Sequence, residues 1–556
     1  MHAVRSGAAG LVLAVALASA GRRAEGQQLR GVVRDSVGQR PVAGAVVTML
    51  DSASAPAGRT ITNERGEFRA TLLRDGVRRL RVVRLGFRPM DVAVPAARDG
   101  VIQLDIVLVA IPVALQPVQV TASPRCARRG DHALALALLE QARAGLLATV
   151  VGRSDKPARM MRLRATRTMA GNSTRIVHQR VRIDSAGMTL GSFGAARTAA
   201  DFVTRGFTAD SNGASLYFGP DAEVLLDDGF ANGYCFHVRG RDRTRPHQVG
   251  LGFRPADRRR GRVDVDGALW VDTIARALVD IDYQYVGIDE RMKPFRPGGR
   301  IFFRAMPNGV VVIDRWSIRI VGIEETALHR FYGAEVWGEL ARASWPDGTQ
   351  WEGTLGSLQV QLTYDDGTPA TGTIVRLEDT DYQGVADSTG RAEIADLIPG
   401  PYKLTVVDPD LAALDVMVAT PVEFTALRDS AITRQLSVKG AMRYVGDRCR
   451  VGASSPARAD EPIRGSAWLL GRVTNAADGE PIDGATWSLG YRDFLGERRI
   501  FENAEVGSDG ISQFCHLQRG ETVVVDVRAK GMTDASVTVT LTKQPTVITV
   551  AMKPRR

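Results

Sequence analysis

The sequence is short of lysine and of cysteine, has one clear apolar run, at its start, and carries none of the common catalytic signatures. Only seven of its 72 basic residues are lysine, and the arginines are spread along all 556 residues. A net charge of +10 therefore does not mark a nucleic-acid footprint, which clusters on one face within a recognisable module. The densest basic run, Arg254 to Arg262, reads as a solvated loop. No H-E-x-x-H occurs, and none of the seven histidines has a glutamate three residues on, which excludes the usual zinc-peptidase ligand sets. The runs around Ser192 and Ser357 lack the first glycine of a nucleophile elbow. Gly250-Leu-Gly252 lacks the third glycine of a dinucleotide loop, and Asp264-Val-Asp-Gly267 lacks the distal glutamate of a calcium loop. We therefore expect no catalytic, cofactor-binding or metal-binding residues, and a protein that is not an enzyme.

The apolar stretch Ala8–Leu17 follows Arg5 and ends at Ala18-Ser19-Ala20, the pattern of a secretory leader over residues 1–26. It is too short to span a bilayer as a mature helix, and no cysteine follows it to take a lipid. With no other apolar run near eighteen residues, we expect an exported chain without a transmembrane segment: periplasmic, outer-membrane-associated or extracellular. Export makes the four cysteines legible, because an even number in an oxidising compartment implies disulfides. Of the three pairings, Cys126–Cys235 with Cys449–Cys515 keeps each bridge within or beside one domain. The second would close a 66-residue loop, worth roughly 4 kcal/mol by chain entropy.

What the chain does have is an echo. Gly31–Val47 and Gly471–Trp487 keep register without a gap, matching Gly31 with Gly471, Pro41 with Pro481 and Gly44 with Gly484. A third copy carries Pro369 and Gly372 at the corresponding places. Each copy then alternates. Val47, Val375 and Trp487 are followed two residues on by Met49, Leu377 and Leu489, with Thr48, Arg376 and Ser488 between them. That period marks a half-buried antiparallel strand, apolar side in and polar side out. Turns at Gly66, Gly390 and Gly510 and further alternating segments complete units of 80 to 90 residues, the size of a small β-sandwich.

The order P-x-x-G-A, then D/N-x-x-G-x-F, then a closing L-x-I-x-L strand resembles the carboxypeptidase regulatory-like domain, a transthyretin-type sandwich. The resemblance implies sandwiches over residues 28–111, 355–440 and 467–554, with a linker over 450–466. Leu115–Ala122 resembles the segment that joins such a domain to the plug of TonB-dependent receptors, but neither a plug nor a train of barrel strands follows.

Between the first two copies, residues 125–350 are of another kind. Asp131–Val150 predicts a helix, and Gly267–Ile288 predicts a hairpin in a curved antiparallel sheet. Its G-x-x-W-V-D…L-x-x-I pattern resembles the lipoprotein-carrier half-barrel, a sheet wrapped around a helix. The fold expected is mainly β: three transthyretin- or immunoglobulin-like sandwiches flanking a larger curved sheet with one main helix. Leu216–Val238 interleaves aromatics with carboxylates near a cysteine. Tyr217, Phe218, Asp221, Asp227, Asp228, Phe230 and Tyr234, together with Trp270, form the expected binding surface. The function expected is a non-catalytic cell-envelope scaffold that binds glycan, peptide or a partner protein. The alternatives are a periplasmic carrier of lipid or lipoprotein, or an accessory part of a TonB-dependent uptake or peptidase system.

Overall fold

The computed structural model describes residues 27–555 apart from 73–75, 96–100, 112–125, 127–131, 185–197, 212–213, 240–241, 258–260, 325–329, 415, 417–418, 452–466, 493–497, 508 and 543–544. The leader, the segment 115–122 and most of the stretch 450–466 thus lie outside the described residues. The chain is mainly β, with three seven-stranded sandwiches and one ten-stranded sheet.

All three sandwiches share one topology. In the first, Gln27–Asp35 lies between Glu67–Leu72, antiparallel, and Val101–Leu108, parallel. Gly356–Tyr364 holds the same place between Arg391–Leu397 and Ala431–Val438, and Ala467–Asn475 between Ile511–Leu517 and Thr546–Met552. Opposite each lies a four-stranded sheet containing the strand that follows the motif: Val46–Leu50, Ile374–Leu377 or Thr486–Arg492. Pro41, Pro369 and Pro481 each make a single bridge to the first strand of their unit, where a missing N–H leaves no ladder bond unmade. The motif glycines Gly44, Gly372 and Gly484 have φ of 71°, 75° and 67°, a region open to glycine at little cost. Val47, Val375 and Trp487 are fully buried, as the alternation requires. Thr48 departs from it. The whole of Val46–Leu50 is buried, because the outward side of that strand meets a helix.

That helix, α1 (His132–Asp155), lies inside the curve of the ten-stranded sheet. The sheet is a meander of Tyr234–Arg239, Gln248–Pro255, Asp264–Asp272, Ala277–Val286, Gly298–Ala305, Val311–Glu324 and Arg330–Ser344. Two earlier strands, Arg159–Met169 and Ile176–Asp184, add to its far side, and Gln350–Glu352 pairs with the end of Arg330–Ser344. Ala135, Leu138, Ala142 and Leu146 pack against Leu251, Leu269, Val271 and Ile281 on the concave face. On the other side of the helix, Ala148 and Val151 meet Val46 and Ile61 of the first sandwich. Asp155 accepts from Thr60 Oγ1 at 2.9 Å and from the Ile61 amide at 3.1 Å, tying the helix end to that sandwich. Leu134–Asp155 is long and apolar enough to cross a bilayer, which corrects the expectation that no such run follows the leader. Glu140 and Arg143 break the run to the eye without lowering its mean hydropathy much. Packing on two sides is the physical reason for its apolar faces.

The second sandwich covers the convex face at the other end of the sheet. Leu163, Ala165 and Val181 enter its core, and Arg342–Asp396 and Arg182–Asp381 pair at the margin, 2.8 and 2.6 Å apart. Both expected disulfides form. Cys126–Cys235 ties the chain before α1 to the edge strand Tyr234–Arg239. Cys449–Cys515 joins a helix packed on the second sandwich, Ala441–Val451, to the third.

Candidate functional site

Seven of the eight residues expected to form a binding surface lie together, with three of them buried, three half-buried and one exposed. Three short helices close the concave side beside α1: α2 (Ala199–Arg205), α3 (Ala222–Leu226) and α4 (Asp228–Gly233). Asp221 caps α3, accepting from the Val224 amide at 3.0 Å, and Asp227 caps α4, accepting from the Gly229 amide at 2.8 Å. Asx residues before such turns are the ordinary way to satisfy orphan amides. Phe218, Phe230 and Tyr234 are buried in the core around α1, and Phe230 stacks on Tyr234 with ring centres 3.9 Å apart. The Tyr234 hydroxyl donates to Asp264 at 3.0 Å, and burial pushes its pKa far above the ordinary phenol value. Tyr217 is half-buried, edge-on to Tyr285. Asp228 is exposed and pairs with Arg143 of α1 at 3.1 Å.

Trp270 lies apart from the other seven, on the convex face. Strand alternation brings a row of residues into register there: Arg239, Gly250, Trp270, Asp280, Phe302, Arg315 and Glu339. Asp280 is fully buried, held by Arg245 at 2.9 and 3.2 Å and by Arg300 at 2.9 Å. Arg245 lies over the Trp270 ring at 4.3 Å, and the Trp270 indole donates to Asp282 at 2.7 Å. Arg300 and Arg315 both lie over Phe302, 4.4 and 4.1 Å from its centre. Cation–π contacts of this kind hold a guanidinium in place at the cost of little flexibility.

The charges in this row do not balance evenly. Arg304 takes both oxygens of Asp314, at 3.0 and 2.9 Å, and Arg428 of the second sandwich pairs with Glu339. Arg315, between them, has no hydrogen-bonded carboxylate among the described residues, and its Nε is buried without an acceptor. Burial, and then the charge of Arg428, lower its pKa from the ordinary guanidinium value, against the opposing charges of Glu339 and Asp314. A half-buried guanidinium fixed on a ring and short of acceptors can take a carboxylate, sulfate or phosphate oxygen. The sequence signals for this face were the alternations Asp280/Asp282, Arg300/Phe302 and Arg315/Ser317. Each alternation is short and mixes charge with small or aromatic residues, so it is indistinguishable in sequence from an ordinary solvent-facing strand side.

A narrow space of about 40 Å³ lies at the C-terminal end of α1, and a wider one of about 480 Å³ opens between α1, α3 and the first sandwich, lined by Arg59, Arg84, Gln141, Arg143 and Leu147 among others. Among the described residues, no group of three His, Cys, Asp or Glu stands ready to hold a metal.

Residues 28–109, the first sandwich, match the family model of the carboxypeptidase regulatory-like domain. No curated protein matches the chain in sequence. Among solved structures, the Bacillus anthracis TIE protein aligns at 9% identity over 62% of this chain and 64% of its own, less than two thirds of its length, with a TM-score of 0.16. A streptococcal ancillary pilin aligns at 13% identity over 46% of this chain and 81% of its own, with a TM-score of 0.17. The shaft pilin SpaA from Lactobacillus rhamnosus GG aligns at 9% identity over 37% and 98%, with a TM-score of 0.14. At such scores none of these likenesses bears on function.

Proposed function

We propose that the protein is a non-catalytic, exported scaffold of the cell envelope. In this reading, three regulatory-like sandwiches hold the central sheet and present its convex face to an acidic glycan. The observation that carries the reading is Arg315, stacked on Phe302 and short of an acceptor in a row otherwise paired. Two disulfides fit an oxidising compartment, and the match of the first sandwich to a regulatory-like domain fits a role in binding and spacing.

The test is retention of the purified protein on immobilised polygalacturonate, a carboxylate polymer, against neutral galactan, across a salt gradient. Retention on the acidic polymer alone, lost at high salt and reduced in Arg315→Gln, supports the reading. Equal behaviour on both polymers, or retention unaltered in Arg315→Gln, overturns it.

A further inference from the structure

We infer that the space between the first sandwich and α1 is a seat for a compact apolar monocarboxylate. The inference is independent of the convex face. One side of the space is the outward face of the first sandwich's four-stranded sheet, and the others are α1 and α3. Its volume of about 480 Å³ falls within the roughly 300–1,000 Å³ of small-molecule sites.

The sheet side carries guanidinium groups that the chain leaves without carboxylates. Arg59 and Arg81 stand opposite Thr48 on the two strands beside it, so all three share one face. Both arginines line the space, and neither makes a hydrogen bond or ion pair among the described residues. Asp91, next to Arg81 on the edge strand, is exposed and does not pair with it. Asp155, near Arg59, is taken by Thr60 and the Ile61 amide. Arg84, three residues beyond Arg81, is fixed by two carbonyls. Its Nε donates to Ala43 at 2.8 Å and its Nη1 to Arg276 at 2.9 Å, which leaves three of its five N–H donors. Burial, and then the charge of Arg276, lower the Arg84 pKa to about 10, and no carboxylate opposes the shift.

A neutral donor reaches the same space. Arg84–Phe87 is a tight turn, closed by the Phe87 amide on the Arg84 carbonyl at 3.0 Å, with Gly86 at a φ of 83°. The Gly86 amide donates to the side-chain carbonyl of Gln141 on α1 at 2.8 Å, which fixes the orientation of that side-chain amide. The two side-chain N–H groups of Gln141 have no acceptor among the described residues. One turn thus holds both the Arg84 fork and the Gln141 amide at the edge of the space, a donor set suited to the two oxygens of a carboxylate.

The remaining lining selects what the anion carries. Val83, Phe87, Leu147, Val150 and Leu226 supply apolar surface, which favours a hydrocarbon body. The helices also bring acidic groups. Glu223 pairs with Arg153 and Asp227 caps α4, while Glu140 is exposed and unpaired among the described residues. Their charge disfavours a guest with several negative groups. A single carboxylate on a compact apolar body meets both conditions, and 2-naphthoate has that form.

The experiment is calorimetric titration of the purified protein with 2-naphthoate, with the uncharged 2-naphthamide and with inorganic phosphate. Naphthoate should bind saturably, and naphthamide and phosphate each about tenfold more weakly or less. Arg84→Gln would also break the bonds to Ala43 and Arg276, so Arg81→Gln, which removes no bond within the chain, carries the test. It should weaken naphthoate binding about fivefold, the upper reach of one exposed ion pair. Arg69→Gln makes the same change of charge on the other sheet of the first sandwich and should leave binding unaltered. No saturable heat at millimolar naphthoate, or naphthamide or phosphate binding as tightly as naphthoate, overturns the inference. So does an Arg81→Gln variant that binds no more weakly than Arg69→Gln.

Discussion

Arg428 of the second sandwich holds both carboxylate oxygens of Glu339 on the central sheet, at 2.6 and 2.9 Å. Glu339 is only 5% exposed, and the Trp337 indole also donates to it at 3.3 Å. The pair closes the seam between two units whose apolar residues already share one core. Removing one partner of a buried pair strands the other charge. Because Arg428 is 33% exposed and water can solvate it in part, Glu339→Gln should cost about 1–2 kcal/mol, measured by chemical denaturation, with the double variant Glu339→Gln/Arg428→Met regaining part of the loss. Equal stability of Glu339→Gln and wild type would mean that the seam rests on apolar contact alone.

How far the sequence foretold this arrangement depends on the range of the interaction. The sandwiches were legible because proline, glycine and period-two alternation act locally. Pro41, Pro369 and Pro481 sit at equivalent bridges, and Gly44, Gly372 and Gly484 share one positive-φ conformation. The curved sheet around a helix was legible in outline for the same reason. The docking of the units was not, since Val46, Thr48 and Ile61 look like any half-exposed strand until α1 covers them. The site was less legible still. Aromatics interleaved with carboxylates from Tyr217 to Tyr234 look the same in sequence whether they face solvent or cap helices over a core. Arg315 stands out only once Phe302, Arg304 and Arg428, from other strands and another unit, have arrived beside it.

Cys449–Cys515 is the covalent link between the second and third sandwiches other than the chain itself. Around it, Leu470 and Ile511 of the third unit reach into the second unit's core, and Arg448 pairs with Asp509 at 3.1 Å. The third sandwich has its own core built on Trp487, Phe514 and Val525. Reduction should therefore leave it folded but less stable by about 4 kcal/mol, the loop-closure value for its 66-residue separation. Denaturant midpoints with and without reductant check this. A midpoint unmoved by reduction would show that the apolar and ionic contacts suffice.

The repeated motif also makes a packing prediction. Gly471 lies beneath the fully buried Trp487 ring, and a Cβ there would fall within the ring. In the second sandwich, the residue three before the one bridged to proline is Val360 rather than glycine, and the strand opposite carries Val375 in place of tryptophan. One unit pairs a large residue with none, and the other pairs two of middle size. Gly471→Val alone should cost about 3 kcal/mol by overpacking. Adding Trp487→Val should recover most of that in thermal unfolding, because it recreates the pair found in the second unit. A double variant no better than the single would show that the two positions do not share one space.

Asp221 gives a pH dependence whose sign follows from its burial. Burial raises its pKa above 3.8, against the opposing bond from the Val224 amide. A carboxyl with a raised folded-state pKa contributes stability that is fully present below its unfolded value and is lost as pH rises through its folded value. At neutral pH the protein therefore carries the cost of an ionised, partly desolvated Asp221. Asn at this position keeps an acceptor for the Val224 amide, since asparagine caps helices about as well as aspartate. Asp221→Asn should be more stable than wild type at pH 7, and the difference should vanish as pH falls toward 3.8 and below. Denaturant midpoints of both proteins across that range provide the measurement. A variant less stable at pH 7 would mean that the negative charge at the start of α3, near Arg153, outweighs its desolvation.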